Sequence, residues 1–177
     1  MSASEISGSD NRVRARARPA WRLSAPARRA VVTGHVVVSV GLLGEVAAFL
    51  AIAVRAAGSD DPAFAGAAYD LLAMCQLVFG IPLSFLALGS GLTLSLGTKW
   101  GVRRYPWVTI KLLLLLSVPL VGALVLGPAV DAVRDGDAGV EGRIIAGAIW
   151  DLAALLVATG LSVYKPGRAR RPRRPAR

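Results

Sequence analysis

The chain has one cysteine, Cys75, so it can form no intramolecular disulfide and no cysteine-cluster metal centre. It has one histidine, His35, and two methionines, one of them the first residue. That leaves little capacity for soft metals such as copper. Also lacking are a Gly-rich phosphate loop, a dinucleotide fingerprint, a nucleophile elbow and any ligand spacing suited to a metal. The familiar soluble-enzyme chemistries are without their residues, and no metal site is expected. Charge is scarce as well, at 18% of residues against 54% hydrophobic. The apolar residues come in long runs instead of alternating with polar ones.

Four such runs are present, and they predict an all-α, polytopic membrane protein, an antiparallel four-helix bundle. The expected helices are about residues 31–54, 62–96, 107–126 and 143–164. At 1.5 Å per residue the first covers about 36 Å, enough to cross a ~30 Å hydrocarbon core with some tilt. Asp61 before Pro62 reads as an N-cap with proline at the first helical position. Residues 62–96 would reach about 50 Å, longer than a bilayer needs, so their first turns are expected to lie outside it. Pro82 and Pro119 are expected kinks, and Gly89-Ser90-Gly91 a loosened turn. The sequence GPAVDAVRDGDAGVEG after Leu126 reads as an acidic, Gly-rich loop. Residues 1–30 and 165–177, rich in arginine, proline and alanine, cannot bury a core and read as disordered tails. Arg28-Arg29 is not followed by a twin-arginine pattern, and the next apolar run is too long for a signal peptide, so no cleavage is expected.

The net charge of +10 matters through its placement. Seven Lys/Arg precede the first run, three (Lys99, Arg103, Arg104) lie between the second and third, and seven follow the fourth. The opposite side has Arg55, Arg134 and Arg143. Seventeen against three predicts both termini in the cytoplasm, in a multi-pass protein of a bacterial cytoplasmic membrane. Trp100, Tyr105 and Trp107 fit an aromatic belt at the same interface. A nucleic-acid binder would instead spread its basic residues over a compact soluble surface. The expected partners are the bilayer itself and, through the basic tails, anionic headgroups, with no nucleic acid.

Small residues at three- and four-residue spacing mark the packing faces. They are Gly147, Ala148, Ala154, Ala158 and Ser162, with Asp151 among them, and Gly80, Ser84, Ala87 and Gly91 on the second helix. Counting helical rise places the few buried polar groups in two layers. His35 and Lys111 each lie about 6 Å inside the cytoplasmic boundary. Glu45, Asp151 and Gln76 fall near one level in the other half. Each layer has two readings. Lys111 can snorkel to the interface or face the bundle, and His35 can satisfy a carbonyl or ligate. Facing carboxylates in low dielectric do not both stay ionised, so Glu45 and Asp151 form either a structural pair sharing a proton or a proton or cation relay. Cys75 reads as a small packing residue.

The segments GHVVVSVGLLGEVAAFLA and LSLGTKWGVRRYPWVTIKLLLLL resemble a family of four-helix integral membrane proteins of high-GC Gram-positive bacteria. More remotely, both are similar to the copper-resistance-protein-D-like group that includes HemJ, a haem-associated protoporphyrinogen oxidase. That group's first helix carries a His followed seven residues on by Trp and nine on by Gly. His35 and Gly44 match, and Leu42 stands where Trp is usual. An aromatic followed four residues on by Lys matches Trp107 and Lys111. The resemblance implies a haem- or porphyrin-linked role for His35 and Lys111 and nothing for the other residues.

Three functional readings stand at this stage. The first is haem or porphyrin binding, with or without redox chemistry, at His35 and Lys111. The second is a proton- or cation-coupled transport component using Glu45 and Asp151, for which oligomerisation would compensate the lack of an internal repeat. The third is a structural or partner-binding subunit without chemistry. All depend on the topology, which a reporter fused to the carboxyl end checks. A cytoplasm-active reporter is expected to be on and a periplasm-active one off.

Overall fold

The computed structural model describes residues 23–96, 106–137 and 139–164. They form four long helices, each long and apolar enough to cross a membrane. These are α1 (Ala25–Ala57), α2 (Pro62–Leu96), α3 (Trp107–Arg134) and α4 (Glu141–Tyr164). Each helix packs on its neighbours in sequence, and α4 closes the ring against α1. Large apolar side chains such as Val37, Leu77, Phe85 and Leu124 cover the outside of the bundle. That is the surface expected of a chain solvated by lipid, where the helix backbone satisfies its own hydrogen bonds.

Local chemistry sets the helix ends. The Asp61 carboxylate accepts from the Ala63 and Phe64 amides, at 2.9 and 3.4 Å, and Pro62 follows it, as the sequence predicts. α1 begins at Ala25, six residues before the expected start. Ser24 caps it by accepting from the Ala27 amide at 3.4 Å, and Pro26 occupies the first turn. The basic composition of residues 1–30 masked this serine–proline start signal, so residues 25–30 are helix and not tail. Residues 1–22, residues 97–105 with Lys99, Arg103 and Arg104, and the tail from Lys165 lie outside the described residues.

Two widened turns interrupt the α-helical ladder. In α2 the Ile81 amide bonds the Gln76 carbonyl five residues back, making a π turn over Gln76–Gly80. In α3 the Gly127 amide bonds the Gly122 carbonyl, making a π turn over Gly122–Leu126. Each turn ends two residues before a proline, Pro82 or Pro128. Proline has no amide hydrogen, and its ring crowds the carbonyl four residues back. A π turn makes room for it without ending the helix. Pro119, the other expected kink, lies within the helical segment Pro106–Val121, and the π turn of α3 begins three residues beyond it at Gly122. The expected loop after Leu126 is also shorter. Its first half, Gly127–Arg134, continues α3 and buries Ala129 and Val130. The chain turns only at 135–140, where Gly136 takes a φ of 97°.

Two apolar clusters fill the bundle. One, at the end holding the 58–61 and 135–140 loops, includes Phe49, Tyr69, Leu72, Leu126, Val130 and Ile144. The other, nearer the chain termini, includes Leu42, Val46, Ala87, Leu115, Val118 and Leu155. Most of the expected small-residue stripes are buried, namely Gly147, Ala148, Asp151, Ala154 and Ala158 on α4 and Ser84, Ala87 and Gly91 on α2, while Gly80 and Ser162 are half-buried. Gly147 is the tightest. A Cβ there would lie 2.7 Å from Leu126 Cδ2 and 3.4 Å from Val121 Cγ1. Gly147→Leu is expected to destabilise the bundle by about 1–3 kcal/mol through overpacking of the α3–α4 seam, read as a lowered unfolding midpoint in detergent.

Candidate functional site

The polar residues of the interior occupy two cavities. The first sits where the two apolar clusters meet and measures about 40 Å³. Glu45 of α1, Gln76 and Ser84 of α2, and Asp151 of α4 line it, with the π-turn glycines Gly80 and Gly122. The expectation from helical rise, that Glu45, Gln76 and Asp151 share one level, corresponds to a single site. Fixed rise along antiparallel rods makes such levels countable.

The π turns shape this cavity. Gln76 opens the π turn of α2, and its Nε2 donates to the carbonyl of Gly122, which opens the π turn of α3, at 2.7 Å. Gly80 lets the Glu45 carboxylate lie against α2, since a Cβ there would be 3.3 Å from Glu45 Oε1. Ser84 donates its hydroxyl proton to the Ile81 carbonyl at 2.9 Å. Asp151 is 2% exposed, and its Oδ1 is buried without a hydrogen-bond partner. Glu45 and Asp151 line the same small cavity. The other buried side-chain polar atom without a partner among the described residues is Tyr69 Oη, in the apolar cluster near the loops.

The second cavity is larger, about 240 Å³, and lies toward the end where the chain termini emerge. His35 and Lys111 both line it, with apolar walls from Val36, Val40, Leu43 and Leu155. Val36, Val40 and Val163 are exposed on the bundle surface, so the cavity opens between α1 and α4 toward lipid. His35 Nδ1 lies 2.7 Å from Ser90 Oγ. The same hydroxyl lies 2.6 Å from the Leu86 carbonyl, to which its one proton goes. Nδ1 is then the donor to Ser90, and Nε2 is the ring nitrogen left with a lone pair. Gly91 permits this approach, since a Cβ there would meet the ring at 3.2 Å. Lys111 has no carboxylate partner among the described residues.

Sequence reasoning identified His35, Lys111, Glu45, Asp151 and Gln76 and missed the roles of Ser84 and Ser90. Ser84 was visible on the small-residue stripe but read as packing. Ser90 lay in a segment read as a loosened turn, and its hydroxyl instead fixes the histidine tautomer.

No protein-family model, curated protein or solved structure matches this chain.

The Gln76–Gly122 bond gives the Glu45–Asp151 layer a direct stability test. Gln76→Leu removes it and places an alkyl chain beside Glu45 and Asp151. The expected cost is about 0.5–2 kcal/mol, in the range for interhelical hydrogen bonds in membranes, read from detergent unfolding. Cys75→Ala, one residue away, is expected to change stability by less than half of that.

Proposed function

We propose that the protein binds an apolar ligand bearing a carboxylate, of the haem or porphyrin class, at the cytoplasmic side of a multi-pass protein in a bacterial cytoplasmic membrane. The observation that carries this reading is that His35 and Lys111 line one lipid-facing cavity while Ser90 engages the Nδ1 of His35. A histidine whose other ring nitrogen is held by a hydrogen bond is oriented for ligation. An ammonium without a carboxylate partner suits a propionate or a substrate carboxylate. The apolar walls suit the face of a flat ring. The donor set therefore fits a haem. The volume of about 240 Å³ lies just under the usual ~300–1,000 Å³ range of small-molecule pockets, so part of the ring would face lipid.

In this reading His35 holds the iron through Nε2, Ser90 fixes the tautomer, and Lys111 anchors an acid group. A bound haem would supply one-electron redox chemistry. The charge asymmetry of the sequence supports the assignment of this cavity to the cytoplasmic half. The resemblance to the HemJ-like group, resting on His35, Gly44, Trp107 and Lys111, supports the ligand class.

Haem titration of the detergent-purified protein, followed by absorbance, tests the reading. A saturable spectral shift is expected, lost in His35→Ala. Lys111→Gln is expected to weaken haem binding about tenfold, a loss of about 1.4 kcal/mol, while leaving binding of the haem dimethyl ester unchanged. A preparation that shows no response to added haem ends this reading. Equal binding by wild type and His35→Ala removes the histidine from it.

A further inference from the structure

The layer between the two apolar clusters presents oxygen and little else. Gln76 directs one amide N–H at the Gly122 carbonyl and keeps its side-chain oxygen as an acceptor for an incoming group. Ser84 has given its proton to the Ile81 carbonyl and retains only lone pairs. Glu45 and Asp151 add two carboxyl groups, and no cationic side chain lines the cavity. Lys111 belongs to the other cavity, about 16 Å down α3 from Gly122 by helical rise. Arg134 is held by Asp70 at 2.7 Å and by Asp131 at 3.3 Å, on the exposed surface. Four oxygen-bearing side chains thus line one gap, and no cationic side chain among the described residues lines it with them.

A second observation points the same way. Asp151 Oδ1 is buried and has no partner. Orphaned polar atoms in an interior are costly, and in lipid there is no bulk water to relieve them. The gap of about 40 Å³ exceeds the roughly 10–15 Å³ that one water needs, so a small species fits and a fully hydrated ion does not.

We propose that the cavity between Glu45, Gln76, Ser84 and Asp151 binds one small hard cation, of sodium or calcium type, through side-chain oxygens. An all-oxygen set with two carboxylates matches hard cations, whereas zinc and copper prefer the nitrogen and sulfur that this cavity lacks. Magnesium retains several waters and demands near-octahedral geometry, for which the gap is too small. Sodium and calcium accept irregular oxygen cages, and the experiment separates them. The bound ion bridges α1, α2 and α4, closing the junction between the two apolar clusters. This site is independent of haem binding and shares no liganding side chain with it.

The test uses the full-length protein in detergent, freed of cations and returned to choline chloride at constant ionic strength. Equilibrium binding of radioactive sodium and of radioactive calcium is measured in separate arms. One of them is expected to saturate near one ion per chain. The same ion, added at a hundredfold excess over its Kd, is expected to raise Tm by about 5–10 °C over choline. Asp151→Asn and Glu45→Gln, which keep the side-chain shape and remove a charge, are each expected to weaken binding at least tenfold. Asp70→Asn, which removes an exposed carboxylate at the loop end, is expected to leave it unchanged. Two results overturn the proposal: no saturable binding of either ion to the wild-type protein, or binding that survives in both Asp151→Asn and Glu45→Gln. The wild-type arm decides the matter even where a variant fails to fold.

Discussion

A buried carboxyl group with nothing bonded to one of its oxygens is the constraint that organises this bundle. Asp151 sits on the most buried face of α4, among glycine and alanine, at the meeting point of two apolar clusters. Lipid offers it no solvent, and the desolvation of a polar group there costs several kcal/mol unless something compensates. The neighbouring helices answer with polar groups at the same level. Glu45 comes from α1 across Gly80, Gln76 comes from α2, and Ser84 turns its proton to its own backbone. The small residues flanking Asp151 let these groups approach. In a membrane, where helices gain little by burying leucine against leucine, close approach and polar contact are what association draws on.

The two π turns belong to the same level. Irregular backbone is tolerated within a membrane only where protein or a cavity meets its loosened groups. Both turns border the Glu45–Asp151 cavity, and Gln76 links the first residue of one to the first residue of the other. Pro82 and Pro128 supply the local cause, since each withdraws an amide hydrogen two residues beyond its turn. The Gly122 carbonyl then receives both the Gly127 amide and the Gln76 side chain. Proline, π turn and glutamine act as one unit that widens two helices beside the buried acid.

Much of this was legible in the sequence because membrane helices obey simple geometry. A fixed rise of about 1.5 Å per residue places polar residues at depths that can be counted, and for Glu45, Gln76 and Asp151 the count led to one cavity. His35 and Lys111 likewise came together. What stayed hidden depended on compensation between residues. Gly127 and Pro128 read as the start of a loop, and nothing local reveals that a π turn absorbs the proline. Ser24 reads as part of a basic tail, although its hydroxyl starts α1. Ser90 reads as a soft turn beside two glycines. Its bond to His35 depends on the relative rotation of α1 and α2, which residue order does not encode.

Leu42 joins the two halves of the molecule. It is almost fully buried and lines both cavities, so its side chain is the partition between the oxygen layer and the His35–Lys111 chamber. It lies two helical turns from His35 and about one from Glu45 on the same helix. An indole at this place has far more volume than a leucine side chain and would have to occupy space that one of the two cavities now holds. Leucine, apolar and compact, keeps the chambers apart without filling either. The separation of the two cavities therefore rests on a single side chain, placed where the two polar layers come closest along α1.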